Sequence, residues 1–179
     1  MQFTTTFHPL NLKWADSRTY LYILLFVAGN LLLPQLCHLL PSGGRIFLPI
    51  YFFTLIASYK FGLKVGLFTA LFSPLLNYLI FGMPPLFMLP IIIIKSFLLA
   101  AAASYIAFHF RRVSIFYLIL VVVSYQFVGS LLEWAITQSF QKASGDITIG
   151  IPGMLLQVFG GWVILKLICI LSITAPAGT

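Results

Sequence analysis

The sequence predicts an all-α protein: an integral membrane bundle of six transmembrane helices with both termini cytoplasmic. Three observations carry that prediction. Hydrophobic residues make up 61% of the 179 positions and charged residues only 7%, against about 25% charged in soluble domains; mean hydropathy is +1.07. The apolar residues fall into runs separated by short turns rich in Gly, Pro and basic residues. The cations are also unevenly placed: Lys13, Arg18, Lys60, Lys64, Arg111, Arg112 and Lys166 fall on one face, Arg45 and Lys142 on the other. Positively charged loops stay in the cytoplasm, which orients the chain.

Residues 1–18 (MQFTTTFHPLNLKWADSR) mix Leu10, Leu12 and Trp14 with Lys13 and Arg18, the composition of a segment lying at the interface. They hold Asp16 and lead into an apolar run with no small-residue cleavage site, so no cleavable signal is expected. The six-helix domain spans 19–173, with a short tail at 174–179. Helix one is predicted at 19–40, with Pro34 and His38 in its outer half. After the turn PSGGR, helix two covers 46–59 and starts near Pro49, where a first-turn proline is tolerated. The basic turn KFGLK leads to helix three at 65–81, and FGMPP turns the chain into helix four at 86–109. Helix five is predicted at 114–138. SFQKASGDIT is read as the longest polar loop, and helix six runs from IGIPGM to 173.

A net charge of +7 would suggest nucleic acid only if it were gathered on one folded surface, and here it is spread between apolar runs. No HExxH, GxSxG, CxxC or P-loop occurs. Of three acids only Glu133 is placed within the membrane, so no carboxylate pair is expected for acid–base or metal work. His8, His38 and His109 are spread over both faces, which argues against a shared metal site. The chain is therefore read as a non-enzyme with no metal and no cofactor. Cys37 and Cys169 fall near opposite faces, too far apart to bridge.

Polar residues inside the spans draw the candidate site. Lys95 lies roughly one-third of the way into the bilayer, where an unpaired charge costs about 2.5–3.5 kcal/mol on insertion scales, so it must face inward. Gln126, Gly129, Glu133 and Thr137 recur at three- and four-residue steps on helix five, with Tyr125 and Trp134 beside them; Gly150, Gly153, Gln157, Gly160 and Gly161 stripe helix six. Under the topology above, Asn77, Lys95, Glu133, Gln157, His38 and Tyr51 all come out in the outer half, which points to a pocket open to the outside. Helix N-termini, Lys95 and Arg45 favour an anionic group there, whereas Glu133 beside Trp134 favours an amine or cationic ring; a zwitterionic or heteroaromatic ligand reconciles them. Each residue also has a structural alternative. Lys95 and Glu133 can neutralise one another, Asn77 and Gln157 can bond between helices, His38 can be an interfacial histidine, and Trp134 and Tyr51 can belong to an aromatic belt. Gly62, Gly66 and Ala70, with Ser73 and Asn77, make a small-residue face read as a docking face, for helices of the bundle or for another protein.

The run IFLPIYFFTLIASYKFGLKVGLFTALFSPLLNYLIFGMPP resembles the second and third helices of the membrane-embedded substrate-binding (S) components of energy-coupling factor transporters. Shared features are a proline near the start of an apolar helix, an aromatic-Gly-x-Lys-x-Gly turn and a Gly/Ala-rich third helix. The resemblance implies a multi-pass subunit of the cytoplasmic (inner) membrane that binds a vitamin or related micronutrient from outside. It also implies partners: a transmembrane coupling subunit and two ATPase subunits. Carried onto this chain, the family's binding region falls on Arg45, Lys95, Gln126, Glu133, Trp134 and Gln157. The family's docking surface on helix one is reduced here to Ala28 and Gly29, with Gly62, Gly66 and Ala70 as the alternative surface. The competing expectation is a structural membrane protein of the cell-envelope machinery with no small ligand.

Overall fold

The computed structural model describes residues 7–10, 12 and 15–174. Its elements are α1 (Ser17–Cys37), α2 (Gly43–Phe47), a 3-10 turn (Pro49–Tyr51), α3 (Phe52–Phe81), α4 (Leu89–Phe110), α5 (Ile115–Thr137), α6 (Phe140–Ile149) and α7 (Ile151–Thr174). Among the described residues there is no strand, as expected where lipid offers the backbone no hydrogen-bond partner. Polar side chains start two of the helices: the Asp16 carboxylate accepts the Arg18 N–H at 2.9 Å and Ser114 Oγ accepts the Phe116 N–H at 3.3 Å. Five stretches are long and apolar enough to cross a membrane, and the second of them, Gly43–Phe81, holds 39 residues. At 1.5 Å per residue a straight helix of that length reaches about 58 Å, nearly twice the hydrocarbon thickness.

It is not straight. Gly62 sits at φ 86°, ψ 178° and breaks α3 into two arms. The amide nitrogen of Asn30 on α1 donates to Thr54 Oγ1 and to Ser73 Oγ, both at 3.0 Å. In one continuous helix those two hydroxyls would stand about 28 Å apart. A Cβ placed on Gly66 would lie 2.1 Å from Ser58 Oγ, so the arms pack directly on one another. The KFGLK turn thus makes a helical hairpin, and its arms, 52–61 and 63–81, answer to the predicted helices two and three. Glycine is needed at the bend because a side chain in this backbone region is strained and because Leu10 O and Phe108 already crowd the position.

The stripe Gly62, Gly66, Ala70, Ser73 and Asn77 is buried. It faces the other arm and α1, so it is internal packing and not an exposed docking face. Spacing defines a face without saying which way it looks. Ala28 is half-buried on α1, and a Cβ on its neighbour Gly29 would meet the Phe53 ring at 2.8 Å. Helix α4 packs on α3 and α5, and α7 packs on α5 and α3. The outward faces of α1, α5 and α7 carry exposed Leu24, Leu32, Phe127, Val163 and Leu171, as lipid-facing surfaces do.

The bundle has two unlike ends. At the first, the N-terminal segment crosses the hairpin bend: Leu10 N–H donates to Lys60 O at 2.8 Å, Lys60 Nζ to His8 O at 3.2 Å, and Phe7 N–H to Arg111 O at 3.0 Å. The Tyr59 hydroxyl donates to Arg112 O at 2.7 Å. Lys60, Lys64, Arg111 and Arg112 gather here; Lys13 and Trp14 lie outside the described residues. At the second end, the stretch predicted as a polar loop is the helix α6. A helix satisfies its own backbone where it leans on an apolar bundle, and α6 touches α2, α5 and α7 with Ala143 3% exposed.

Candidate functional site

A cavity of about 570 Å³ opens at this second end. Its walls are Pro34 and Gln35 from α1 and His38 just past its end, residues 40–45 and 48–51, Asn77, the turn from Met83 to Pro85, Met88, Ile91 and Ile92 from the start of α4, Glu133, and Asp146 from α6. That volume suits a small organic molecule.

Under this cavity lies the main charge cluster. Lys95 on α4 is 2% exposed, and its Nζ donates to Glu133 Oε2 on α5 at 2.5 Å and to Asp146 Oδ2 on α6 at 2.9 Å. The lysine stem lies across Gly129, where an added Cβ would meet Lys95 Cγ at 2.6 Å, so only glycine admits it to the α4–α5 seam. Burying a lone charge is prohibitive and burying a pair is still costly unless geometry is good; here one ammonium serves two carboxylates. Asp146 corrects the expectation that no carboxylate pair exists. Read as part of an outer loop, it is returned to the bundle when α6 folds back over the end.

Lys95 itself does not line the cavity; the two acids do. What a molecule inside meets on that wall is carboxylate oxygen, with the ammonium behind it. Tyr51 stands on the wall as well, 4% exposed, with its ring 5.5 Å from that of Tyr125. The Tyr125 hydroxyl donates to Gln157 Oε1 at 2.9 Å, which uses Gln157 as a link between α5 and α7.

Of the residues expected to form the site, Glu133, Asn77, Arg45, Tyr51 and His38 line the cavity. Asn77 gives its amide nitrogen to Asn30 O and Ser73 O, both at 2.9 Å, so that group serves the scaffold. The His38 ring lies against Gly44 and Arg45 is exposed at the mouth. Gln126 and Gln157 are buried deeper and do not reach the cavity. Trp134 points elsewhere: it is 47% exposed and meets Phe140 edge-on, 6.1 Å between centroids. One residue beyond Glu133 turns a helix by about 100°, which carries Trp134 off the inward face.

No family model, curated protein or solved structure matches this chain. The site therefore rests on its own chemistry. On α4, α5 and α7 several buried polar atoms have no hydrogen-bond partner among the described residues: the side-chain nitrogen and oxygen of Gln126, Ser96 Oγ, Ser130 Oγ and Gln157 Nε2. Leaving such a group unpaired costs about 1–3 kcal/mol. Gln126, Ser130 and Glu133 follow one face of α5, so this polar seam runs inward from the cavity wall.

Two residues that organise this half of the molecule escaped the sequence reading. Asp146 is one. Asn30 is the other: fully buried, it bonds both arms of α3 and accepts the Phe53 N–H at 3.2 Å. An amide inside an apolar span, which needs a hydrogen-bond partner there, was the available signal at Asn30.

Proposed function

We propose that the chain is the substrate-capture subunit of a membrane importer of the energy-coupling-factor type, binding a small polar nutrient in the cavity beside Glu133 and Asp146. The observation that carries this reading is a cavity of about 570 Å³ whose wall holds two acids sharing one buried lysine, in a chain with 7% charged residues. Intramembrane charge is expensive and marks function by default. A purely architectural pair needs no second acid and no adjoining void.

The gathering of Lys60, Lys64, Arg111 and Arg112 at the opposite end supports placing that end in the cytoplasm. The cavity then opens outward. A solute enters past Arg45 and His38, sheds water against Tyr51, Met88 and Ile91, and meets the carboxylates at the wall. Asp146 is the one charged partner carried by a short peripheral helix, so α6 is suited to cover the occupant. The chain binds and does not transform, and the energy for transport comes from partner subunits: a transmembrane coupling protein and two ATPases.

Native mass spectrometry of the protein released from lipid nanodiscs tests this. The expected result is a stoichiometric small-molecule adduct that is lost in Glu133→Gln. A spectrum of bare protein from cells grown in rich medium, unchanged by Glu133→Gln, would overturn it.

A further inference from the structure

Resting on that reading, we infer that the occupant carries a positively charged nitrogen, seated against Glu133 and Asp146. The charges in the sequence point to a zwitterionic or heteroaromatic ligand, with Lys95 available to its anionic end. The geometry removes that possibility. Both carboxylates lie within 2.9 Å of the Lys95 nitrogen, and Lys95 is 2% exposed and absent from the cavity wall. One positive and two negative charges leave the cluster with one negative charge in excess, and the two groups bearing it face the void.

The remaining oxygens sharpen the point. Among the described residues neither Glu133 Oε1 nor Asp146 Oδ1 takes part in a hydrogen bond. Acceptors aimed at a partly enclosed, low-dielectric space, with an excess negative charge, attract a cation more strongly than the same groups in water. Tyr51, on the same wall, adds an aromatic neighbour of the kind organic cations favour. Arg45 is the competitor. It lines the mouth, is exposed, and makes no ion pair among the described residues. Removing it should therefore help a cationic ligand, or leave it unaffected, and should not harm it.

Tryptamine and indole-3-acetate share a ring and differ in charge, and either fits the volume. Binding to the purified full-length protein in nanodiscs is measured by thermal unfolding followed with a thiol-reactive dye on Cys37 and Cys169. Tryptamine is expected to raise the unfolding temperature in a saturable way and indole-3-acetate to leave it unchanged. Asp146→Asn should weaken tryptamine at least tenfold, whereas Arg45→Gln should bind it as well or better. A shift with indole-3-acetate equal to or larger than that with tryptamine would overturn the inference, as would no shift with either, or undiminished tryptamine binding by Asp146→Asn. The copurified compound is read separately by mass spectrometry, so an adduct whose only charged group is anionic would sink this inference and leave the capture reading standing.

Discussion

Two polar hubs lie inside this apolar bundle, and they are built on opposite principles. Asn30 is neutral, fully buried and saturated: its amide nitrogen has two acceptors, its amide oxygen a backbone N–H, and its own carbonyl receives Asn77. No excess charge and no unmet group remain there. Lys95 is charged and bonded to two acids that line a cavity, and the same helices carry orphaned Gln126, Ser96 and Ser130 atoms. A bundle that needed only a polar staple had a cheaper one available in the asparagine design. The costly hub stands where the void is, and the cheap one stands where three helical segments must be held together.

Substitutions at the two hubs should separate them. Lys95→Met removes the cation shared by two acids and is expected to lower stability the most, by about 3–5 kcal/mol, read by thermal unfolding in nanodiscs; Lys95→Met/Glu133→Gln should recover only part of the loss, because it removes one of the two stranded negative charges and leaves Asp146. A cost no larger than that of Asn30→Ala would erase the distinction. Asn30→Ala should cost about 1–3 kcal/mol from stranded donors and acceptors, and a protein that still folds should hold its ligand normally. Weakened binding in that variant, at equal stability, would mean that the scaffold hub is part of the site. Gly62→Ala strains the hairpin bend and crowds Leu10 O, with an expected loss of about 1–3 kcal/mol and no change in ligand affinity. Trp134→Phe should do least: its ring is on the outer face against Phe140, so affinity should be unaltered within twofold.

The membrane class, the all-helical bundle and the inward lysine and glutamate were legible because each follows from local hydropathy and the cost of charge in hydrocarbon. The hairpin was legible too, since KFGLK places a glycine between two lysines, a basic turn that interrupts the apolar run. Asp146 was not. Its role depends on α6 folding back over the bundle, a contact between residues 51 positions apart that no local pattern encodes. The small-residue stripe was visible as a face but not in its direction, since the other arm of the hairpin and an outside protein make the same demand on Gly66 and Ala70. Trp134 had a usable signal in its single-residue offset from Glu133, which places the two side chains on different faces of one helix.

The claim on which the rest depends is that the Glu133–Asp146 wall receives a ligand and does not merely neutralise Lys95. Native mass spectra of the wild type and of Asp146→Asn, taken side by side from nanodiscs, test it most directly, because Lys95 and Glu133 remain paired in the variant. The account predicts a one-to-one adduct on the wild type that is depleted at least tenfold in Asp146→Asn. Bare protein in both spectra, or the same adduct at the same occupancy in both, would contradict it.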